Sequence, residues 1–252
     1  MTTLDRTGRT ALVTGGTAGI GLAVARGFVE AGMQVIATGR SPDSVDSASR
    51  ALGSNAEVIV SDTTDASDIE LLGAHVDRRL GGLDVLVLNA GIGGPVPFDQ
   101  LGMEAYRSVT DTNLTGPLFT AQHLGPSVRD GGAIVLTTSI GSLMARPERV
   151  TYDMSKASLR VLTRALAAHF LPRSIRVNAV SPGPIDTTVL ERAGLTGERL
   201  AKARRAMADS TPMKRSGRAE EVARAVDFLA FDATYTTGAE LPVDGGWTDV
   251  RS

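Results

Sequence analysis

The chain contains no cysteine, and among its 252 residues only 4% are aromatic and three are histidine. Without thiols there can be no disulfide, no thiolate nucleophile and no cysteine-based metal site, which agrees with a reducing compartment. His75, His123 and His169 stand singly, without the short spacing of a metal-binding pair, and read as surface or packing residues. No metal is expected. Charge of one sign is lacking too: Lys+Arg 26 against Asp+Glu 28 leaves a formal net charge of -2. That offers no broad basic field for nucleic acid or an anionic membrane. No stretch of about 18 apolar residues could span a bilayer, and the polar segment Met1 to Arg9 lacks the apolar core of a signal peptide. The expectation is a cytoplasmic protein, with small molecules and copies of itself as partners and with neither nucleic acid nor membrane.

What the chain does have is 28 glycines and 42% hydrophobic residues, a composition that fits one α/β domain over residues 1–252. Short apolar runs alternate with helical patterns. Strands are predicted at Thr10–Val13, Gln34–Thr38, Glu57–Ser61, Asp84–Leu88, Gly132–Thr138, Ile175–Val180 and Glu240–Val243. Helices are predicted after the first glycine turn and at Ala66–Leu80, Met103 to about Leu124, Val150–Phe170 and Ala219–Phe231. The third of these contains Asn113, Gly116 and Pro117, so it should kink or loosen there; Asn113 could then expose its amide or a main-chain carbonyl to water, or be a simple polar helix residue. Residues 186–217 are rich in charge, and a helical lid or a plain solvated helix fits them equally.

The first strand ends in Thr14-Gly15-Gly16-Thr17-Ala18-Gly19-Ile20-Gly21 and runs into a helix. Such a turn lets the backbone pass close to a pyrophosphate, whose charge the opening N–H groups of the helix meet. The second strand ends about 20 residues later in Thr38-Gly39-Arg40, where a doubly wound fold places the group that reads the adenosine ribose. A carboxylate there suits free ribose hydroxyls, whereas a guanidinium suits a 2′-phosphate, so Arg40 favours NADP(H) while nearby Asp43 keeps NAD(H) open. Asp62 ends the third strand, able to meet an adenine amino group or to form a turn. Asn89-Ala90-Gly91 ends the fourth, with small residues that permit close approach to a ligand.

The chemistry concentrates in Tyr152-Asp153-Met154-Ser155-Lys156, preceded by Ser139 at the end of an apolar run. On a helix, Tyr152 and Lys156 project from one face, and the ammonium supports the phenolate. Ser139 could bond the same substrate oxygen. The implied reaction is proton transfer at a carbonyl or alcohol oxygen.

Taken in order, these motifs resemble the short-chain dehydrogenase/reductase family over essentially the whole chain. The family's glycine motif falls on Thr14, Gly15, Gly19 and Gly21, its Asn-Ala-Gly motif on Asn89 to Gly91, and its catalytic tetrad on Asn113, Ser139, Tyr152 and Lys156. Its Pro-Gly motif falls on Pro182 and Gly183, with Ile185 and Thr187 at positions that usually meet the nicotinamide carboxamide and phosphates. The resemblance implies a single-domain, Rossmann-type, doubly wound parallel sheet of seven strands in the order 3-2-1-4-5-6-7, with helices on both faces. Its dinucleotide-binding part would cover about residues 8–140 and its catalytic and substrate part about 139–252, with a lid at about 186–217. Cofactor contacts would come from Gly15, Thr17, Gly19, Ile20, Gly21, Thr38, Arg40, Asp62, Asn89, Ala90, Gly91, Tyr152, Lys156, Pro182, Gly183, Ile185 and Thr187.

By the same resemblance Tyr152 is the proton donor in reduction, and Lys156 supports it and holds the ribose hydroxyls. Ser139 orients the substrate oxygen, and Asn113 holds a water that links Lys156 to solvent. A homotetramer or dimer is implied, to which the apolar stripe Leu159, Leu162, Leu166 could contribute. The expected function is an NADPH-dependent ketone reductase. The alternatives are a 3-oxoacyl-thioester reductase, with Arg129 and Arg173 toward an acidic carrier, an NAD-dependent alcohol, sugar or steroid dehydrogenase, and a dinucleotide-sensing regulator.

Overall fold

The computed structural model describes residues 5–250 apart from 145 and 193. Strand β1 (Thr10–Val13), helix α1 (Gly19–Glu30), β2 (Gln34–Gly39), α2 (Pro42–Leu52), β3 (Ala56–Val60), α3 (Ala66–Leu80) and β4 (Leu83–Leu88) follow as strand–helix repeats. Then come α4 (Met103–Thr110), a π turn (Asp111–Thr115), α5 (Gly116–Leu124), β5 (Val128–Thr137), α6 (Val150–Phe170) and β6 (Arg176–Pro182). The last part holds β7 (Ile185–Asp186), α7 (Val189–Arg192), α8 (Gly197–Asp209), β8 (Gly217–Arg218), α9 (Ala219–Asp227) and β9 (Glu240–Val243). Seven strands form one parallel sheet in the order β3-β2-β1-β4-β5-β6-β9, the Rossmann-type arrangement expected, while β7 and β8 pair separately.

Side chains alternate across the sheet, and size sorts with the face. Ala11, Val13, Val35, Ala37, Val85, Val87, Ala133 and Val135 point to the side covered by α1 and α9. Leu12, Ile36, Leu86, Leu88, Ile134 and Leu136 fill the side under α3, α5 and α6. Small and β-branched residues let α1 lie close to the sheet, and that closeness seats the glycine turn directly above β1. Each fully buried Leu or Ile contributes about 1.5–3 kcal/mol of apolar transfer free energy.

Helices α3 and α6 have the predicted limits. Strand β5 starts earlier than expected, at Val128 rather than Gly132, because Val128 pairs with Leu83 across a register shift. The last helical segment departs from the α-helix after Asp227 and closes in a π turn, Phe228–Asp232. The stripe on α6 serves the core: Leu159 is buried in the α3/α5/α6 cluster and Leu162 and Leu166 pack against it, partly buried. Arg129 and Arg173 are also engaged within the chain. The first donates to Thr10 Oγ1, Asp84 Oδ2 and the Leu80 carbonyl; the second bonds Asp130 and the carbonyls of Gly125, Pro126 and Val128. Both tie the start of β5 to its surroundings, which removes the observation that favoured an acidic carrier.

Candidate active site

The carboxyl ends of β1, β4, β5 and β6 converge on one cleft of about 1000 Å³. Its floor is the glycine turn, where Gly15 and Gly19 adopt φ of 62° and 52°, values that favour glycine. The turn is stitched to β4. Asn89 Nδ2 donates to the carbonyls of Thr14 (3.2 Å) and Gly15 (3.1 Å), and the amides of Asn89 and Ala90 donate to Thr14 Oγ1. A methyl group on Gly15 would stand 2.8 Å from Ala90 Cα, so the two segments touch backbone to backbone. Thr137 Oγ1 then reaches Asn89 Oδ1 at 3.2 Å and links β5 to the same knot.

Every residue predicted for the site lines this cleft except Asn113. At one end lie Thr38, Arg40 and Asp62 with Ser41, Ser44 and Ser61. Asp62 Oδ1 accepts from both the amide and the hydroxyl of Thr64, so it does form the alternative turn while still facing the cleft. Arg40 is exposed on the wall, whereas Asp43 is not part of it. Thr38 Oγ1 and Ser61 Oγ are buried without a partner. Orphan hydroxyls at this end and a close-packed glycine turn at the centre fit a nicotinamide dinucleotide. Pro182, Gly183, Ile185 and Thr187 form the opposite wall, where the Gly183 amide is held by the Val243 carbonyl at 3.0 Å.

The start of α6 supplies the reactive groups. The Tyr152 ring is gripped along both edges. A methyl on Gly93 would stand 2.8 Å from its Cδ2, and one on Gly141 would stand 3.2 Å from its Cε1. Lys156, only 4% exposed, donates from Nζ to the Thr137 carbonyl at 2.8 Å and lies 5.9 Å from the centre of the Tyr152 ring. Burial lowers its pKa from 10.5 to about 8. Ser139 caps the turn after β5, its Oγ accepting from the Gly141 amide at 3.1 Å, and is half-buried in the wall.

Asn113 corrects one expectation. Its amide is not offered to water but fully buried: Oδ1 accepts from the Ile92 amide, and Nδ2 donates to the Ile92 carbonyl and Ser155 Oγ. The π turn rotates this side chain inward, where it clamps the loop after β4 to α6. A methyl on Gly91 would stand 3.3 Å from both Asn113 Oδ1 and Lys156 Nζ, so amide and ammonium flank one glycine.

Two arginines on the wall, Arg146 and Arg149, have no counterpart among the residues singled out from the sequence. Arg146 forms a two-point pair with buried Asp153. Arg149 lays its guanidinium 4.5 Å over the Tyr152 ring. The three-residue spacing from Arg149 to Tyr152 at a helix start is the sequence signal that could have found it.

The family model described as Enoyl-(Acyl carrier protein) reductase matches residues 15–248. The chain belongs to the short-chain dehydrogenase/reductase family. It is 39% identical to cis-4-hydroxycyclohexanecarboxylate dehydrogenase of Sinomonas cyclohexanicum, over 96% of this chain and 97% of that one. It is 35% identical to glucose 1-dehydrogenase of Gluconobacter oxydans, over 96% of this chain and 92% of that one. A solved short-chain dehydrogenase/reductase from Mycobacterium marinum superposes with a TM-score of 0.88 at 32% identity, covering 98% of each chain. This is therefore a dehydrogenase/reductase-type oxidoreductase of a family that uses NAD(P)(H). Among the described residues no helix is long and apolar enough to cross a membrane.

Proposed function

We propose that the protein is an NADP(H)-dependent ketone reductase in which Tyr152 is the proton donor. The observation that carries this reading is the convergence of Ser139, Tyr152 and Lys156 on one wall of the cleft that the glycine turn floors. Bound there, the nicotinamide supplies the hydride for the carbonyl carbon. Tyr152 then gives its proton to the carbonyl oxygen as negative charge develops on it, and Ser139 Oγ orients that oxygen. Lys156, fixed by the Thr137 carbonyl, supplies positive charge beside the phenol and holds the ribose. Asn113 works from behind the wall, where its side chain fixes Ile92 and Ser155 and so holds the loop after β4 against the helix that carries Tyr152 and Lys156.

The NADP(H) preference rests on the β2 end of the cleft. Arg40 is exposed there, Ser41 and Ser44 stand beside it at the start of α2, and Asp43 does not line the cleft. A guanidinium, two hydroxyls and a helix N-terminus together suit a 2′-phosphate. The relatives named dehydrogenases favour a second reading, oxidation of a secondary alcohol at the same residues in reverse. We assign the protein to a homo-oligomer, for which exposed apolar residues on α4, α5 and α6 speak.

The test follows cofactor oxidation at 340 nm with NADPH and NADH in parallel across cyclic, aryl and β-keto substrates. Turnover should appear with NADPH and vanish in Tyr152→Phe, while cofactor affinity stays near that of the parent. Turnover that survives the substitution would reject Tyr152 as the acid.

A further inference from the structure

We infer that Arg149 is the anchor for a carboxylate on the substrate, so that the enzyme acts on an oxo acid or hydroxy acid. The inference rests on the oxidoreductase reading above and specifies the substrate class for the same cleft.

Two guanidinium groups reach the wall near Tyr152, and their circumstances differ. Arg146 is satisfied: Nε donates to Asp153 Oδ2 at 3.0 Å and a terminal nitrogen to Oδ1, so a buried carboxylate neutralises it. Arg149 has no ion pair among the described residues, although it is half-buried, and its Nε is buried without an acceptor. Neighbouring Glu148 is exposed and leaves it unpaired. The Arg149 Cζ lies 4.5 Å from the centre of the Tyr152 ring, a contact that uses none of the guanidinium's hydrogen-bond donors and leaves them for another partner. Its two terminal nitrogens are not among the buried atoms and have no acceptor among the described residues, so they are the donors a ligand can reach.

The missing partner has a definable chemistry. The donor edge of a guanidinium is a planar fork that matches a carboxylate with two parallel hydrogen bonds. With Arg146 neutralised by Asp153 and Lys156 committed to the Thr137 carbonyl and the cofactor, Arg149 is the guanidinium beside Tyr152 without an ion pair among the described residues, and one guanidinium matches one carboxylate. Arg40, an exposed guanidinium on the wall, stands at the far end of the cleft beside the β2 terminus. Because Arg149 lies against the ring whose hydroxyl would meet the reacting oxygen, carboxylate and carbonyl would be separated by one small ring or a short chain. Gly93 closes over both groups, since a methyl there would stand 2.8 Å from Tyr152 Cδ2 and 3.5 Å from an Arg149 terminal nitrogen.

The test compares 4-oxocyclohexanecarboxylate with its methyl ester, which keeps the ketone and removes the charge. The parent should favour the acid in kcat/KM on the order of 10- to 100-fold, mainly through KM. Arg149→Gln should bring the acid-to-ester ratio near unity, and Arg149→Lys should restore part of it. Calorimetry with the cofactor-loaded protein gives a second readout: unreactive cyclohexanecarboxylate should bind the parent more tightly than cyclohexanecarboxamide, and Arg149→Gln should bind them alike. A loss that falls equally on acid and ester would make Arg149 a support for the tyrosine ring and overturn the inference. Turnover of ester and neutral ketones without preference for the acid would overturn it and leave the reductase intact. Absence of Tyr152-dependent turnover on every ketone, in either direction, would remove the functional reading and this inference with it.

Discussion

Lys156 is charged at neutral pH inside a wall where, among the described residues, its hydrogen-bond acceptor is the Thr137 carbonyl. Burial lowers its pKa from 10.5 to about 8, which corresponds to about 3 kcal/mol against folding while the unfolded chain is protonated. Because the folded value is the lower one, the penalty is complete below pH 8. It fades between pH 8 and 10.5, where the folded state releases its proton first, so stability rises with pH across that window. Lys156→Met should therefore abolish turnover and still raise the unfolding free energy at pH 7 by about 2 kcal/mol, the remainder being lost with the donor to Thr137. Denaturant titrations at pH 7 and 10.5 check this: the advantage of the variant should shrink at the higher pH, and a less stable variant at pH 7 would refute the account. Arg40 permits a binding test of the same kind. Its exposed guanidinium has no ion pair among the described residues, so Arg40→Ala should weaken NADPH on the order of 10-fold or more and NADH little. Equal losses would remove Arg40 from the 2′-phosphate.

At the scale of elements, the site depends on two loops packed without side chains against the start of α6. A methyl on Gly93 would collide with the Tyr152 ring, and one on Gly141 would stand 2.6 Å from Asp153 Oδ1 as well as close to that ring. Gly93→Ala should thus displace the phenol and lower kcat about 10-fold or more, with cofactor affinity unchanged, because a small misplacement of a reacting group is costly. Unaltered kcat would mean that the loop yields instead of the ring. Such packing explains which features could be read from sequence. Helix α3 was legible to its ends because Asp65 caps it through the Ser67 amide and Gly81 closes it at φ 62°. The Tyr152–Lys156 spacing and the glycine turn were legible because they are local. The start of β5 was not, since Arg129-Asp130-Gly131-Gly132 reads as a loop until Val128 finds Leu83. Nor was the inward turn of Asn113, which depends on partners at Ile92 and Ser155. Arg149 escaped for the same reason: its meaning comes from Asp153 being taken by Arg146.

For the molecule as a whole, the unbalanced surface lies outside the cleft. Helix α4 exposes Met103 and Tyr106, α5 exposes Leu118 and Phe119, and α6 exposes Met154 and Val161, the last two a double turn apart on one face. Phe119 is 43% and Val161 66% exposed. Helices α4 and α6 pack together, so their residues belong to a common side of the molecule. A monomer would leave these groups in water, whereas a second copy could cover each at about 25 cal/mol per Å². The π turn that bears Asn113 joins α4 to α5, and α6 bears Tyr152, so assembly through these helices would also stiffen the segments that clamp the site. Sedimentation velocity at micromolar concentration should find the parent as a dimer or tetramer, and Phe119→Glu with Val161→Glu should lower its mass and its thermal stability together. The charged variant should lose kcat in proportion to the monomer formed if α6 relaxes on exposure. A parent that sediments as a monomer, or a double variant that keeps its mass, would leave this face without the partner assigned to it.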